Sequence, residues 1–397
     1  MNNSKQVLPF RVSVYNPGGI RLDGAYVDKI LKEAMVATGK TRPPLAGEFP
    51  EDDVERIEAN DIFAAVNELF YKRGWTDGLP VVPPIEERVK AMLLGTDLPP
   101  YEVSGVVNPI KGQAPVEKIA VNAVMAGCRP EYMPVLIAAV QAIIDPSFNL
   151  IGLATTTSPD TPMLIINGPI AQRLDINSGT NALGRGWQAN ATIGRALNLI
   201  INNIGGSRPG ITDMSCLGQP GEFAMALAEN EDANPWEPLH VELGYTKETN
   251  VVTVIAAEGI QGILGIGLGS EELLDLVADR LLGSDTPYRP AILLIIAQDT
   301  AAMLARDGWT KEKIRQFIFD RARMPFLKYK KRFIDTNLVG MMGGVPSWVS
   351  EVKDHSLMIP VPFVDQFLII VSGGPGEKSM LIPVWPASTV ISKEIMT

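Results

Sequence analysis

The sequence predicts an α/β fold with mixed, partly parallel sheets, flanking helices and two subdomains. Three observations lead there. The C-terminal third alternates apolar runs (NVVTVIAA at 250–257, AILLIIA at 291–297, QFLIIV at 366–371) with helical periods, as strands buried on both faces require. Two of those runs end in glycine-rich loops, at 258–262 and 372–379. A chain of 397 residues, 46% hydrophobic and 20% charged, is folded throughout and long for one core.

In order, 6–15 reads as a strand, and Asn16-Pro17-Gly18-Gly19 as a turn in which Pro fixes φ and Gly permits positive φ. Asp23 can cap a helix to about Thr38, and a Pro-rich connector follows at 39–53. Residues 1–58 thus form a strand-helix arm and connector. A helix over 59–73 carries Ile62, Phe63, Val66, Leu69 and Phe70 on one face. The next eleven residues, 74–84, hold three prolines and two glycines. That loop either packs Trp75 or turns Asp77 toward a substrate. A helix over 115–126 starts at Pro115 and stops at Gly127. Cys128 follows it, before the next helix begins at Pro130 and Pro134. A helix from near Asn190 buries Ile193, Ala196, Leu197, Ile200 and Ile204, and another is expected over 220–230. Residues 59–245 form the Asn/Gly-rich, site-bearing domain. Residues 246–397 form a C-terminal α/β domain, with helices at 271–282, 299–306 and 311–322 and a strand at 380–384.

Composition excludes several classes. With a formal net charge of −10 and KYKKR at 328–332 as the densest basic cluster, no nucleic-acid partner is expected. No stretch reaches the ~18 uninterrupted apolar residues of a membrane span. The positive mean hydropathy of +0.11 therefore points to a large core and a buried homo-oligomer interface. The first nineteen residues lack a signal-peptide pattern and there are two cysteines, so a cytoplasmic location is expected. Two histidines, His240 and His355, leave no His-rich metal motif. No motif requires a cofactor. A carboxylate-bound divalent cation needs only oxygen ligands and stays open. Gly265-Ile266-Gly267-Leu268-Gly269 lacks GxGxxG spacing, and Ser372–Ser379 is not a Walker A loop because Glu377 separates Gly376 from Lys378.

The candidate site lies within 151–244, where short apolar runs alternate with Asn, Ser, Thr, Gly, Arg and Glu. Such polar density needs partners, and a preorganised small-molecule site supplies them. Asn177, Ser178, Thr180, Asn181 and Arg185 precede the helix that carries Asn190 and Arg195. A polar loop feeding a helix N-terminus suits an anion, and Arg185 with Arg195 could clamp a carboxylate. Gly373, Gly374, Lys378 and Ser379 form either a tight hairpin loop or an anion-binding, substrate-closing loop. The acidic turn 229–242 contains Glu229, Glu231, Glu237 and His240 as acid–base candidates, packed by Trp236. Cys216, ahead of a predicted helix, is a nucleophile or a buried thiol.

The segments RGWTDGLPVVPP (73–84), EKIAVNAVMAGCRPEYMPV (117–135), NPWEPLHVE (234–242), ARDGWTKEKIRQFIFDRAR (305–323) and IIVSGGPGEKSMLIP (369–383) resemble a bacterial family associated with UGSC-motif selenoproteins. The resemblance spans roughly 60–390. It implies a redox association through the Sec/Cys-Gly-Ser-Cys motif of an accompanying domain, so that this chain either partners with a redox-active protein or does something else. This chain has neither CGSC nor CxxC.

The leading expectation is an enzyme of lyase or hydrolase type acting on a small polar, anionic substrate by carboxylate/His acid–base chemistry. One alternative is a thiol-dependent redox or C–S bond enzyme using Cys216 or Cys128. Another is a non-catalytic ligand-binding or scaffold subunit of a multiprotein complex.

Overall fold

The computed structural model describes residues 10–18, 54–283, 290–336, 351–354, 356–360 and 364–396. The helix expected over 23–38, the connector at 39–53, and His355 lie outside them.

The chain is α/β, with mixed sheets flanked by helices. Strands β1 (Phe10–Tyr15) and β2 (Val54–Ala59) form an antiparallel ribbon. Helix α1 (Ile62–Lys72) follows, capped by the Asp61 carboxylate accepting from Ala64 N–H at 3.0 Å. Val66 and Phe70 are buried as expected, whereas Phe63 is 53% exposed. Helix α2 (Glu86–Leu93) leads to the short pair β3 (Val103–Val107) and β4 (Gly112–Pro115). Helix α3 (Val116–Ala126) ends at Gly127, whose φ of 87° is the left-handed stop that glycine accepts without strain. Helix α4 (Met133–Ile143) and then α5 (Gln188–Asn203) pack beside it.

Two four-stranded sheets form the centre. The first has the order β12 (Ile391–Glu394), β7 (Val251–Ala257), β5 (Thr161–Asn167), β6 (Ala226–Ala228), with β5 and β6 parallel. The second has the order β10 (Phe367–Val371), β9 (Ile292–Ile296), β11 (Lys378–Pro383), β8 (Gln261–Leu264), with β9 and β10 parallel. The sheets stack face to face between two helical layers. Side-chain alternation writes this directly. Leu164, Ile166, Val252 and Val254 pack with α3, α4 and α5, while Met163, Ile165 and Ile255 meet Leu293, Ile295 and Ile370 of the second sheet. Its opposite face, Ile292, Leu294, Ile369 and Val371, packs on α6 (Ser270–Leu282), α7 (Gln298–Arg306) and α8 (Lys311–Arg321). Apolar runs buried on both faces are thus explained by an α/β/β/α stack.

Two expectations change. In place of a helix over 220–230 there is a single 3-10 turn at Pro220–Glu222 and then β6, because Ala226-Leu227-Ala228 completes the parallel edge of β5. The loop 372–377 is no hairpin: β10 and β11 flank β9 on either side, so the loop crosses the end of β9. Strand pairing also crosses the 245/246 boundary, since β7 pairs with β5 along seven residues. No single helix among the described residues is long and apolar enough to cross a membrane.

Candidate functional site

The polar residues of 151–244 separate into three places. At the C-terminal end of β5, Asn167 Nδ2 donates to Glu229 Oε2 at 2.7 Å and to Glu231 Oε1 at 3.1 Å. Glu229 is 3% exposed and also accepts from Leu239 N–H (2.8 Å), Asn234 Nδ2 (2.8 Å) and, at 3.5 Å, Val371 N–H. Burial pushes its carboxyl up to about 7, against the pull of Lys311, Leu239 N–H and Asn167, with Glu231 pushing the same way as burial. These neighbours all donate to the carboxylate and favour its ionised form, and burial outweighs them. The cluster joins the sheets, because Asn230 N–H also donates to Val371 O at 2.7 Å. His240 is fully buried with Nδ1 3.9 Å from Glu231 Oε1, and Glu231 accepts from Gly168 N–H at 2.7 Å. Glu237 points to solvent, and Trp236 donates to Trp309 O at 2.9 Å within the helix layer of the second sheet.

The loop 177–190 is mostly self-satisfied. Asn190 accepts from Asn177 N–H at 2.7 Å, and its amide donates to Asn177 O, Ala182 O and Ala226 O. Asn177 Nδ2 donates to Thr180 O, and its Oδ1 accepts from Gly179 N–H. Asn181 donates to Arg185 O, leaving the Arg185 side chain in solvent. The carbonyl of Ser178 accepts from Gly373 N–H (2.8 Å) and Ser372 Oγ (3.1 Å). Thr180, Asn181, Gly373, Gly374, Lys378 and Ser379 do converge on one cleft of about 420 Å³. The Ser379 side chain is the exception to a shared direction. In register it lies with Ile296 and Leu381, on the helix side of the sheet.

The expected arginine clamp is absent. Arg195 is held by Asp77 through two hydrogen bonds, Nε to Oδ2 at 2.7 Å and Nη2 to Oδ1 at 2.9 Å, and it also donates to Pro80 O. Its charge is matched inside the protein, and the pair fixes the 74–80 loop on α5.

That loop forms one wall of a cavity of about 350 Å³ at the N-terminal end of β5. Asp77 and Thr76 meet Asn198 of α5, Asp160 and Thr161 at the strand start, and Asp213 and Glu222 across from them. Local turns fix the last two. Asp213 Oδ1 accepts from Ser215 N–H at 2.9 Å, and Glu222 Oε1 accepts from Gln219 N–H at 3.0 Å in a capping box. Gln219 ties this turn to the sheet through Pro159 O and Ala257 O. Burial pushes the Asp213 carboxyl above the usual range, against the Ser215 N–H. Burial first, and the neighbouring Asp213 charge second, push Glu222 up as well, against the Gln219 N–H. The Nδ2 atom of Asn198 is enclosed without a hydrogen-bond partner among the described residues. Sequence reading missed Asp213, Glu222 and Asn198. The signals present were the Asp-x-Ser turn at 213–215 and the Gln-Pro-Gly-Glu turn at 219–222.

Cys128 Sγ donates to Thr192 O at 3.3 Å, and burial pushes its thiol up to about 12, which removes it as a nucleophile near neutrality. Cys216 is exposed beside Ser215, and both cysteines are free thiols. Among the described residues, no three His, Cys, Asp or Glu side chains are grouped to hold a metal ion. No protein-family model matches the sequence, and no curated protein does.

Proposed function

We propose that this chain is an enzyme of lyase or hydrolase type that works by carboxylate acid–base chemistry in the cavity between the 74–80 loop, α5 and the 207–223 turns. One observation carries the reading: Asp213 and Glu222 line the same enclosure, both drawn toward the protonated form, with the charge of one opposing ionisation of the other. Two carboxyls in that relation divide the work. One keeps its proton and gives it to a leaving group, and the other, ionised, takes a proton from water or from carbon. Asn198 Nδ2 is a donor awaiting a substrate oxygen.

Arg195 and Asp77 neutralise each other, which leaves Asp160, Asp213 and Glu222 against Arg208 in the lining. The substrate at this cavity is therefore small, polar and uncharged or cationic, in place of the anion expected from Arg185 and Arg195. Self-association is part of the proposal, supported by exposed Leu94 (86%), Leu217 (93%) and Ile266 (65%). The purified protein incubated with a mixture of small amides, esters, glycosides, hydroxy acids and amino compounds, followed by mass spectrometry, tests it. Consumption of one class by wild type and not by Glu222→Gln is expected; consumption of none overturns the enzyme reading.

A further inference from the structure

The cleft between the two sheets has a different chemistry and shares no lining residue with the acid–base cavity. Its floor is Leu227 and Ile295, both inside the inter-sheet core, and its walls include Leu183, Ile260 and Met380. It opens where the parallel strands β9 and β10 end, at Ala297 and Ser372, the position at which α/β sheets receive ligands. Among the described residues, Lys378 is the one charged member of the lining. In register Lys378 stands with Met380, opposite Leu264 and on the side of Ile295 and Ile382, so its side chain leaves the sheet on the cleft side. Among the described residues, neither Lys378 Nζ nor the Gly374 N–H has a hydrogen-bond partner. Other N–H groups of the crossing loop are taken: Gly373 by Ser178 O and Gly376 by Asp299 Oδ2. The loop is also held in place, because a Cβ on Gly374 would lie 2.0 Å from Thr180 Oγ1.

We propose that this cleft binds a small organic acid, its apolar body against Leu183, Leu227, Ile295 and Met380 and its carboxylate against Lys378 and the Gly374 N–H. The volume of about 420 Å³ takes a ring or branched chain of that kind. Each part of the ligand is matched by a different feature: the body by an apolar floor that water covers poorly, the charge by a lysine with no ion-pair partner among the described residues. This second site stands apart from the acid–base proposal and does not depend on it.

The test is calorimetric titration with phenylacetate, indole-3-acetate and 4-methylpentanoate, with phenylacetamide and acetate as controls for the charge and the body. Methyl NMR of the same samples locates the contact. At least one of the three acids is expected to bind at or below about 1 mM and to shift the methyl signals of Leu183, Ile260 and Met380. Lys378→Gln is expected to weaken it about tenfold, and rising salt to do so in wild type but not in that variant. Met380→Glu, at a side chain 37% exposed, is expected to abolish binding. No binding by any of the three acids, equal binding of phenylacetamide and phenylacetate, or unchanged affinity in Lys378→Gln would each overturn the proposal.

Discussion

Arg195 and Asp77 satisfy each other across 118 residues of sequence, with Nε 2.7 Å from Oδ2 and Nη2 2.9 Å from Oδ1. Both side chains are largely withdrawn from solvent, at 16% and 13% exposure. Two groups that sequence places on a substrate thus belong to one wall of the cavity, and the pair sets where Thr76 and Gly78 stand.

Removing one member leaves the other enclosed and uncompensated. Asp77→Leu is expected to cost about 3 kcal/mol of stability, and Asp77→Leu combined with Arg195→Met less than that single change. Urea denaturation of wild type, Asp77→Leu, Arg195→Met and the double variant checks this; additive losses would show the pair is not coupled.

Glu229 gives stability a pH dependence of defined sign. Its folded-state carboxyl lies near 7 against an ordinary 4.5, so the folded protein holds more protons than the unfolded chain between those values. Stability from this group is full below about 4.5 and falls as pH rises through about 7, by up to ~3 kcal/mol. Asp213 and Glu222, also raised, act in the same direction. Denaturation midpoints measured between pH 4 and pH 8, wild type against Glu229→Gln, isolate the slope. A flat difference between the two would refute it.

Asn190 bridges the 177–182 loop and β6 with four hydrogen bonds. Asn190→Ala strands buried partners and is expected to cost about 2–4 kcal/mol, whereas Arg185→Ala, at an exposed side chain, changes stability by less than about 0.5 kcal/mol. Thermal melts of both variants decide the ranking.

Much of the architecture was legible. The runs 251–257, 292–296 and 367–371 announce strands buried on both faces, and Gly127 marks a helix end through local chemistry. Which strands pair was not legible. β7 could pair with any apolar neighbour, and its choice of β5 rests on contacts more than eighty residues apart. The site was legible as a polar stretch, not as an arrangement. Asn177 and Asn190 look like ligand donors until their amides are seen to be used by backbone carbonyls. Asp213 and Glu222 look like ordinary turn residues, because the cavity they line is shared with the 74–78 loop and α5, far away in sequence.

The thiols can be ranked by reaction with a disulfide reagent at pH 8. Cys216, exposed, is expected to react within seconds to minutes, and Cys128, half-buried and with its thiol pushed up to about 12, far more slowly. A Cys128→Ser, Cys216→Ser protein is expected to keep full turnover; loss of turnover would restore the thiol reading.

The most direct test of the acid–base account is turnover per folded molecule for Asp213→Asn, Glu222→Gln and Glu229→Gln, measured side by side across pH. The account predicts losses of about 100-fold or more in the first two, with the limb of the profile set by the missing carboxyl gone, and little change in the third beyond its stability. Full turnover in Asp213→Asn and Glu222→Gln, with loss confined to Glu229→Gln, would contradict it and move the chemistry to the C-terminal end of β5.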